Sequence, residues 1–277
     1  MASIGPTAFY TGEVWARNGL SHPELSRPEG RVLHALPAPL RVAGRVLGLP
    51  TLDGMLLGRH LVIDALLEDE IAAGRVGQVL EIASGMSPRG WRFTERHPDL
   101  VYLETDLPAM AARKREALAR IGRPPGHRVA ELDALAPDGA LSLGAVAAKL
   151  DPDAGLAIIT EGLLSYLPRP AVLALWSTVA RVLAGFAHGV YLADLHVGAD
   201  APALLTRVAT GALSAFVRSP VAVHFAAEED ARAALLGAGF ATADVAPASA
   251  HPAAAGRRGA ERVRVVRALY ADPGRGR

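Results

Sequence analysis

No cysteine occurs among the 277 residues. That absence excludes a thiol nucleophile, a disulfide staple and Cys-ligated zinc. Neither charge sign is in excess: 29 Lys and Arg stand against 28 Asp and Glu, a net of +1. Aromatics make up only 5% of the chain, and no basic block is interleaved with them. Nucleic acid and an anionic membrane surface are therefore not expected as partners. Long apolar runs are also lacking. The most apolar stretch, Ala171 to Gly185, is interrupted by Arg181 and is too short to span a bilayer. The N-terminus shows no basic region followed by an apolar run, so no signal peptide is expected. A soluble, cytoplasmic protein is expected. The histidines are scattered, without H-x-x-x-H or H-E-x-x-H spacing, and no metal is implied. The G-x-S-x-G elbow of a hydrolase is missing too; Ser84-Gly85-Met86-Ser87 does not match it.

What is present from residue 75 onward is an alternation of short apolar runs and helical patterns. The runs read as strands are Gln78–Ala83, Val101–Asp106, His127–Leu132, Leu156–Glu161, Gly189–Leu195, Phe240–Val245 and Arg262–Tyr270. Between the first of these lie helical stretches at Pro88–His97, Pro108–Ile121, Leu141–Leu150 and Pro170–Ala184. Proline opens several of them, where its missing N–H costs nothing. Strand-helix alternation implies βαβ units and a parallel sheet. The rhythm breaks near the end: a helical region Ala201–Phe216, an apolar run Val221–Phe225, a helix Ala227–Leu236, then two strands around a loop. Such a pair supplies the antiparallel edge of a seven-stranded, mostly parallel, Rossmann-like α/β sheet with helices on both faces. Residues 75–270 are expected to form that domain. Residues 1–74 hold several prolines and no clear strand, and end in a helix from about Arg59 to Ala73. They are expected to be a helical extension covering the active site. Residues 271–277 are expected to be a disordered tail. The arginines Arg257, Arg258, Arg262, Arg264 and Arg267 read as a solvated face.

In an open parallel sheet, ligands bind at the C-terminal strand ends where strand order reverses. The first strand ends in Val79-Leu80-Glu81-Ile82-Ala83-Ser84-Gly85. A dinucleotide turn wants G-x-G-x-x-G, but here Ala83 stands where the first Gly would be. Glu81 would repel a pyrophosphate, whereas it suits the ammonium and sulfonium end of S-adenosylmethionine. The second strand ends in Glu104-Thr105-Asp106, at the offset from Gly85 where a carboxylate accepts both ribose hydroxyls; Asp106 also reads as a helix cap. The third ends in Glu131-Leu132-Asp133-Ala134. Alternation places Glu131 and Asp133 on one face. Asp133 is favoured for the adenine amino group because it is shorter and further into the loop. The fourth ends in Thr160-Glu161-Gly162. A buried carboxylate there needs a cationic partner, either the cofactor's ammonium or a neighbouring arginine.

Three segments together resemble the leucine carboxyl methyltransferase superfamily, including bacterial polyketide O-methyltransferases of the tetracenomycin type. They are Val79–Gly90, Glu104-Thr105-Asp106-Leu107-Pro108 and Thr160-Glu161-Gly162-Leu163-Leu164-Ser165-Tyr166-Leu167. The resemblance implies a class I S-adenosylmethionine-dependent methyltransferase whose product is S-adenosylhomocysteine. It places Glu81, Ala83, Ser84, Gly85, Asp106, Leu107, Leu132, Asp133, Ala134 and Glu161 at the cofactor, and Arg59 at its carboxylate. Tyr166 matches a family tyrosine near the methyl-transfer point. Residues Tyr10 to Gly19 resemble the opening of some bacterial members, which offers Tyr10 and Arg17 to the substrate.

A carboxylate acceptor is already ionised near neutral pH and needs only cationic or hydrogen-bonding groups to hold it. Arg17, Arg59, Tyr10, Tyr166 and His196 are candidates. A phenol or alcohol needs a base, and His196, directly after the fifth strand, is the first candidate; His60 and His224 are weaker. The expected function is O-methylation of a small-molecule carboxylate or hydroxyl in polyketide or other secondary metabolism, by a monomer or homodimer. A nicotinamide-dependent oxidoreductase, a non-catalytic methyltransferase-like binding protein and a methyltransferase for a protein's C-terminal carboxylate are the alternatives.

Overall fold

The computed structural model describes residues 5–26, 28–35, 49–198 and 222–270. Their elements in order are α1 (Gly5–Arg17), α2 (Pro28–Ala35), α3 (Leu52–Ala72), β1 (Gln78–Ile82), α4 (Arg89–Arg96), β2 (Val101–Asp106), α5 (Pro108–Ile121), β3 (His127–Glu131), α6 (Leu143–Ala147), β4 (Leu156–Thr160), α7 (Arg169–Leu183), β5 (Gly189–Leu195), α8 (Glu228–Gly237), β6 (Thr242–Pro247) and β7 (Arg264–Tyr270). The strands form one sheet in the order β3-β2-β1-β4-β5-β7-β6. The ladders are parallel from β3 to β5, and β7 runs antiparallel to both β5 and β6. This is the seven-stranded, mostly parallel α/β sheet that the strand-helix alternation predicts. Chain order reverses between β1 and β4, so the crevice there opens at the switch point.

Each sheet face buries its own apolar layer. Leu80, Ile82, Ile158, Tyr191, Leu195 and Val245 pack with Trp176 of α7 and Leu235 of α8 on one face. Val79, Tyr102, Ile159, Leu192 and Val265 pack with Ile63 and Leu67 of α3 and Phe93 of α4 on the other. Strand side chains alternate between faces. Glu81, Glu104, Glu161 and Asp194 therefore emerge on the side that carries α3, α4 and α5.

Several boundaries differ from the expected ones. The helix expected from Arg59 begins at Leu52, because the Thr51 side chain accepts the Gly54 N–H at 3.0 Å and caps it. Arg59 is consequently a buried mid-helix residue. The helix expected over Leu141–Leu150 contracts to α6, capped by Ser142. The sixth strand starts two residues later than expected, and Ala260–Arg262 turns before β7 begins. Arg257 and Arg258 are exposed as expected. Arg264 is instead buried, donating to Glu228, and Arg267 reaches inward to Glu70. The expected helix Ala201–Phe216 and tail 271–277 lie outside the described residues. No helix among the described residues is long and apolar enough to cross a membrane.

Candidate active site

The sheet register brings the strand ends chosen from sequence into one row. Asp106 pairs with Glu131, Ile82 with Thr105 and Thr160, and Thr160 with Ala193. One residue further along, Asp106, Ala83, Glu161 and Asp194 stand side by side at the C-terminal edge.

The loop after β1 is shaped by two residues in left-handed conformation, Ala83 at φ 53° and Gly85 at φ 52°. Among described residues, Ala83 is the only non-glycine with positive φ. The loop is fixed from β2: Asp106 Oδ2 accepts the Gly85 N–H at 2.8 Å, and Oδ1 accepts the Leu107 N–H at 2.8 Å. Burial raises the Asp106 carboxyl above its usual range, and these two N–H groups offset only part of that. Ser84 receives a hydrogen bond from the buried Lys114 ammonium at 3.2 Å.

Beneath the loop lie two buried ionic clusters. Glu104 meets Lys114 at 2.8 Å and His127 at 2.8 Å. Burial alone would raise the Glu104 carboxyl; the charges of Lys114 and His127 outweigh it and lower it. Its register partner Glu81 is tied to Arg89 at 2.9 Å and to the Tyr102 hydroxyl at 2.7 Å. Burial and the like charge of Glu104 leave Glu81 above its usual range despite Arg89. The carboxylate expected at the cofactor's charged end is thus used inside the protein, because position 81 faces α4.

Arg89, with no exposed side-chain surface, also bonds Asp64 at 2.6 Å and Glu161 at 2.6 Å. His60 Nδ1 stands 2.8 Å from both Glu161 and Arg89. Arg59 completes the cluster, donating to Glu161 at 3.1 Å and to Asp194 at 2.8 Å. Burial would raise the Glu161 carboxyl, yet His60, Arg89 and Arg59 hold it far below its usual range. Neighbouring cations of the chain, one of the two kinds of partner the sequence left open for Glu161, surround it. Gly162 follows at φ 70°, and a Cβ there would meet Arg59 Nη2 at 2.9 Å. Its N–H donates to Asp194 at 2.6 Å. Tyr166, in the turn Leu164–Tyr166, lies within electrostatic reach of Arg59.

Other expected residues are placed elsewhere. Glu131 pairs with Arg115 at the surface at 3.0 Å, while Asp133 accepts the Leu135 N–H and shapes the turn after β3. Leu107 is exposed, Leu132 is buried in the core, and Ala134 packs against it. The Tyr10 hydroxyl donates to Asp53 at 2.7 Å, and Arg17 pairs with Glu13 at 2.7 Å with half its side chain in solvent. Tyr10 thus ties α1 to the first turn of α3, and Arg17 pairs within α1; among the described residues neither bonds to the Arg59 cluster. His196 Nδ1 stands 2.9 Å from the Arg262 carbonyl.

Sequence reading missed Asp194, Arg89, Asp64 and Lys114. Asp194 was findable by the strand-end rule, since it is the penultimate residue of β5. The others sit within helices, where nothing local distinguishes them from surface charges.

An open α/β sheet of this strand order, with a carboxylate-fixed turn after β1 and an arginine over the β4 end, defines a Rossmann-like cofactor-binding fold of the methyltransferase class. The leucine carboxyl methyltransferase family model matches residues 27–180, and the chain belongs to that family. A Mycobacteroides abscessus protein, provisionally named an S-adenosyl-L-methionine-dependent methyltransferase, is 36% identical over 152 residues, 53% of this chain and 48% of its own. A Mycolicibacterium gilvum protein with the same provisional name is 36% identical over 134 residues, 48% of this chain and 42% of its own. The chain thus spans about half the length of the curated relatives it matches. Among solved structures, a DUF574 family protein from Streptomyces avermitilis superposes with TM-score 0.67 at 12% identity, covering 96% of this chain and 97% of that one. A protein from Thermobifida fusca, provisionally described as a methyltransferase, gives TM-score 0.67 at 14% identity, covering 98% and 96%. At these identities the structural likeness shows the fold alone.

Proposed function

We propose that this chain is an S-adenosylmethionine-dependent O-methyltransferase acting on a small-molecule carboxylate or hydroxyl. The observation that carries the reading is the row of Asp106, the Ala83–Gly85 turn and Glu161–Gly162 at the switch point, with Arg59 above it. The donor set fits the cofactor. Asp106 spends one lone pair of each oxygen on the chain's own N–H groups, which leaves acceptor capacity for ribose hydroxyls. Asp133 would take the adenine amino group, since Glu131 is engaged with Arg115, and Leu107, Leu132 and Ala134 lie along the same two strand ends. Arg59 would hold the carboxylate of the methionine end. When bound, S-adenosylmethionine supplies an electrophilic methyl group on a sulfonium.

The protein's own work is binding, orientation and exclusion of water. Holding reactants in line contributes on the order of 7–11 kcal/mol to such reactions. The buried ion network holds Arg59 and Glu161 through the chain's own side chains, which favours a preorganised site. Residues 1–74 are proposed as its cover. In support, α1 brings the Trp15 ring within 4.7 Å of the His60 ring, and Gly12 lies beside Met86 of the β1 loop. A cytoplasmic role in secondary metabolism, as monomer or homodimer, rests on the resemblance to polyketide O-methyltransferases.

Calorimetric titration with S-adenosylmethionine and S-adenosylhomocysteine tests the reading. Absence of binding by folded protein at millimolar ligand would sink it. Asp106→Ala is expected to weaken binding by about 10- to 100-fold, as for loss of hydrogen bonds to a charged group worth ~1.5–3 kcal/mol.

A further inference from the structure

His196 and His224 each precede one partner of a backbone bridge just beyond β5, and His196 lies two residues on from Asp194, which meets Arg59. The chain continues beyond β5 into a parallel bridge between Val197 and Phe225. Val197 and Phe225 both belong to the core on the α7 face, where Phe225 stacks on Trp176. The residues just before them, His196 and His224, therefore leave on the opposite face. That is the face of Leu192, Asp194 and α3, which bears Arg59.

Both rings are half-buried, and each is pinned by a backbone carbonyl. His196 Nδ1 is 2.9 Å from the Arg262 oxygen, and His224 Nε2 is 3.1 Å from the Leu164 oxygen. A carbonyl only accepts, so the pinned nitrogen must carry the proton. In the neutral rings, His196 Nε2 and His224 Nδ1 are then the lone-pair nitrogens. His224 is also fastened to the turn that carries Tyr166, and the Ala222 N–H donates to Ser165 in that same turn. His60 is different: it is fully buried, with both ring nitrogens facing charged partners.

We propose that the acceptor is a hydroxyl that arrives protonated, a phenol or an alcohol, and that His196 Nε2 is its base, with His224 Nδ1 accepting alongside. This rests on the methyl-transfer reading above and narrows its acceptor class. The hydroxyl proton passes to His196 Nε2 as the oxygen–methyl bond forms. The methyl–sulfur bond breaks with its electron pair kept by sulfur, and the imidazolium returns the proton to solvent. A carboxylate acceptor has no such proton to lose and would leave a base without a task.

Two measurements test this. Imidazole 15N spectra of the full chain, assigned with His196→Gln and His224→Gln, need no ligand. The Nδ1–H tautomer is expected at His196 and the Nε2–H tautomer at His224; the reverse at His196 overturns the proposal. The second measurement offers the protein matched acceptors, 2-naphthol and 2-naphthoic acid among a panel of hydroxyl compounds and their carboxylic counterparts, and detects methyl gain by mass. Hydroxyl members should be methylated, and His196→Gln, whose amide can still donate to the Arg262 carbonyl, should lower their kcat by about 10²-fold or more. Calorimetric affinity for S-adenosylmethionine should not change. The defect should shrink for 4-nitrophenol, which is more readily ionised. Methyl gain only on carboxylic members, on none, or equally in the variant overturns the proposal. Failure of the wild-type protein to bind S-adenosylmethionine would instead count against the methyl-transfer reading, and the tautomer result would stand apart from it.

Discussion

The backbone takes the left-handed conformation at two telling single residues of the site, Ala83 and Gly162. Ala83 sits at φ 53°, where a side chain costs roughly 1–2 kcal/mol. Ala83→Gly removes that cost but adds about 0.5–1 kcal/mol of chain entropy. The urea midpoint should therefore hold or rise slightly, with no loss of cofactor affinity. Gly162 is the reverse case. Its φ of 70° strains any side chain, and a methyl group there would crowd the Arg59 guanidinium at 2.9 Å. Gly162→Ala should lower stability by about 1–2 kcal/mol and should also push Arg59 aside. Chemical denaturation and calorimetry read the two effects separately.

Elements are joined through the buried ion network. Arg89 links α4 to Asp64 of α3, Glu81 of β1 and Glu161 beyond β4, and Arg59 extends the chain of charges to Asp194 of β5. Removing one partner of such a cluster leaves buried charge uncompensated, at about 3–5 kcal/mol. Arg89→Met should lower unfolding stability by that order in urea titration. Lys114 does for the loop what Arg89 does for the strands, tying Glu104 to Ser84.

For the whole molecule, the network sets the response to acid. The Asp64, Glu104 and Glu161 carboxyls are lowered in the folded state, in each case because neighbouring cations outweigh burial. A lowered folded value means stability that is present above the unfolded pKa and lost as pH falls through the folded one. Glu81 and Asp106 are raised, so they bind protons more readily when folded and offset part of that loss. The melting temperature should be flat from about pH 6 to 8 and fall below about pH 4.5. Glu161→Gln should show a shallower acid decline, read by circular dichroism. Deleting residues 1–48 tests the proposed cover at the same scale. Leu56 and Leu57, which α1 and α2 bury, would then be exposed. The sheet should still fold with a lower melting temperature, and cofactor retention should fall.

The sequence by itself determined the sheet and its sense of alternation. Strand periodicity, proline at helix starts and the late strand pair are local signals, and local signals survive without tertiary context. It also marked the Asp106 and Glu161 strand ends as candidates, because ligand sites in parallel sheets fall at predictable ends of predictable elements. Only the tertiary structure decided what those carboxylates face. Glu81 and Glu161 look alike in sequence to ligand-binding acids, yet cations from α3 and α4 hold both. Arg89, Asp64 and Asp194 join the cluster at the strand ends through contacts between positions 25, 72 and 135 apart in the chain. His196 and His224 share a face only because a bridge closes beyond β5. Pairing of charges across such separations depends on burial and register, and neither is written at any one position of the chain.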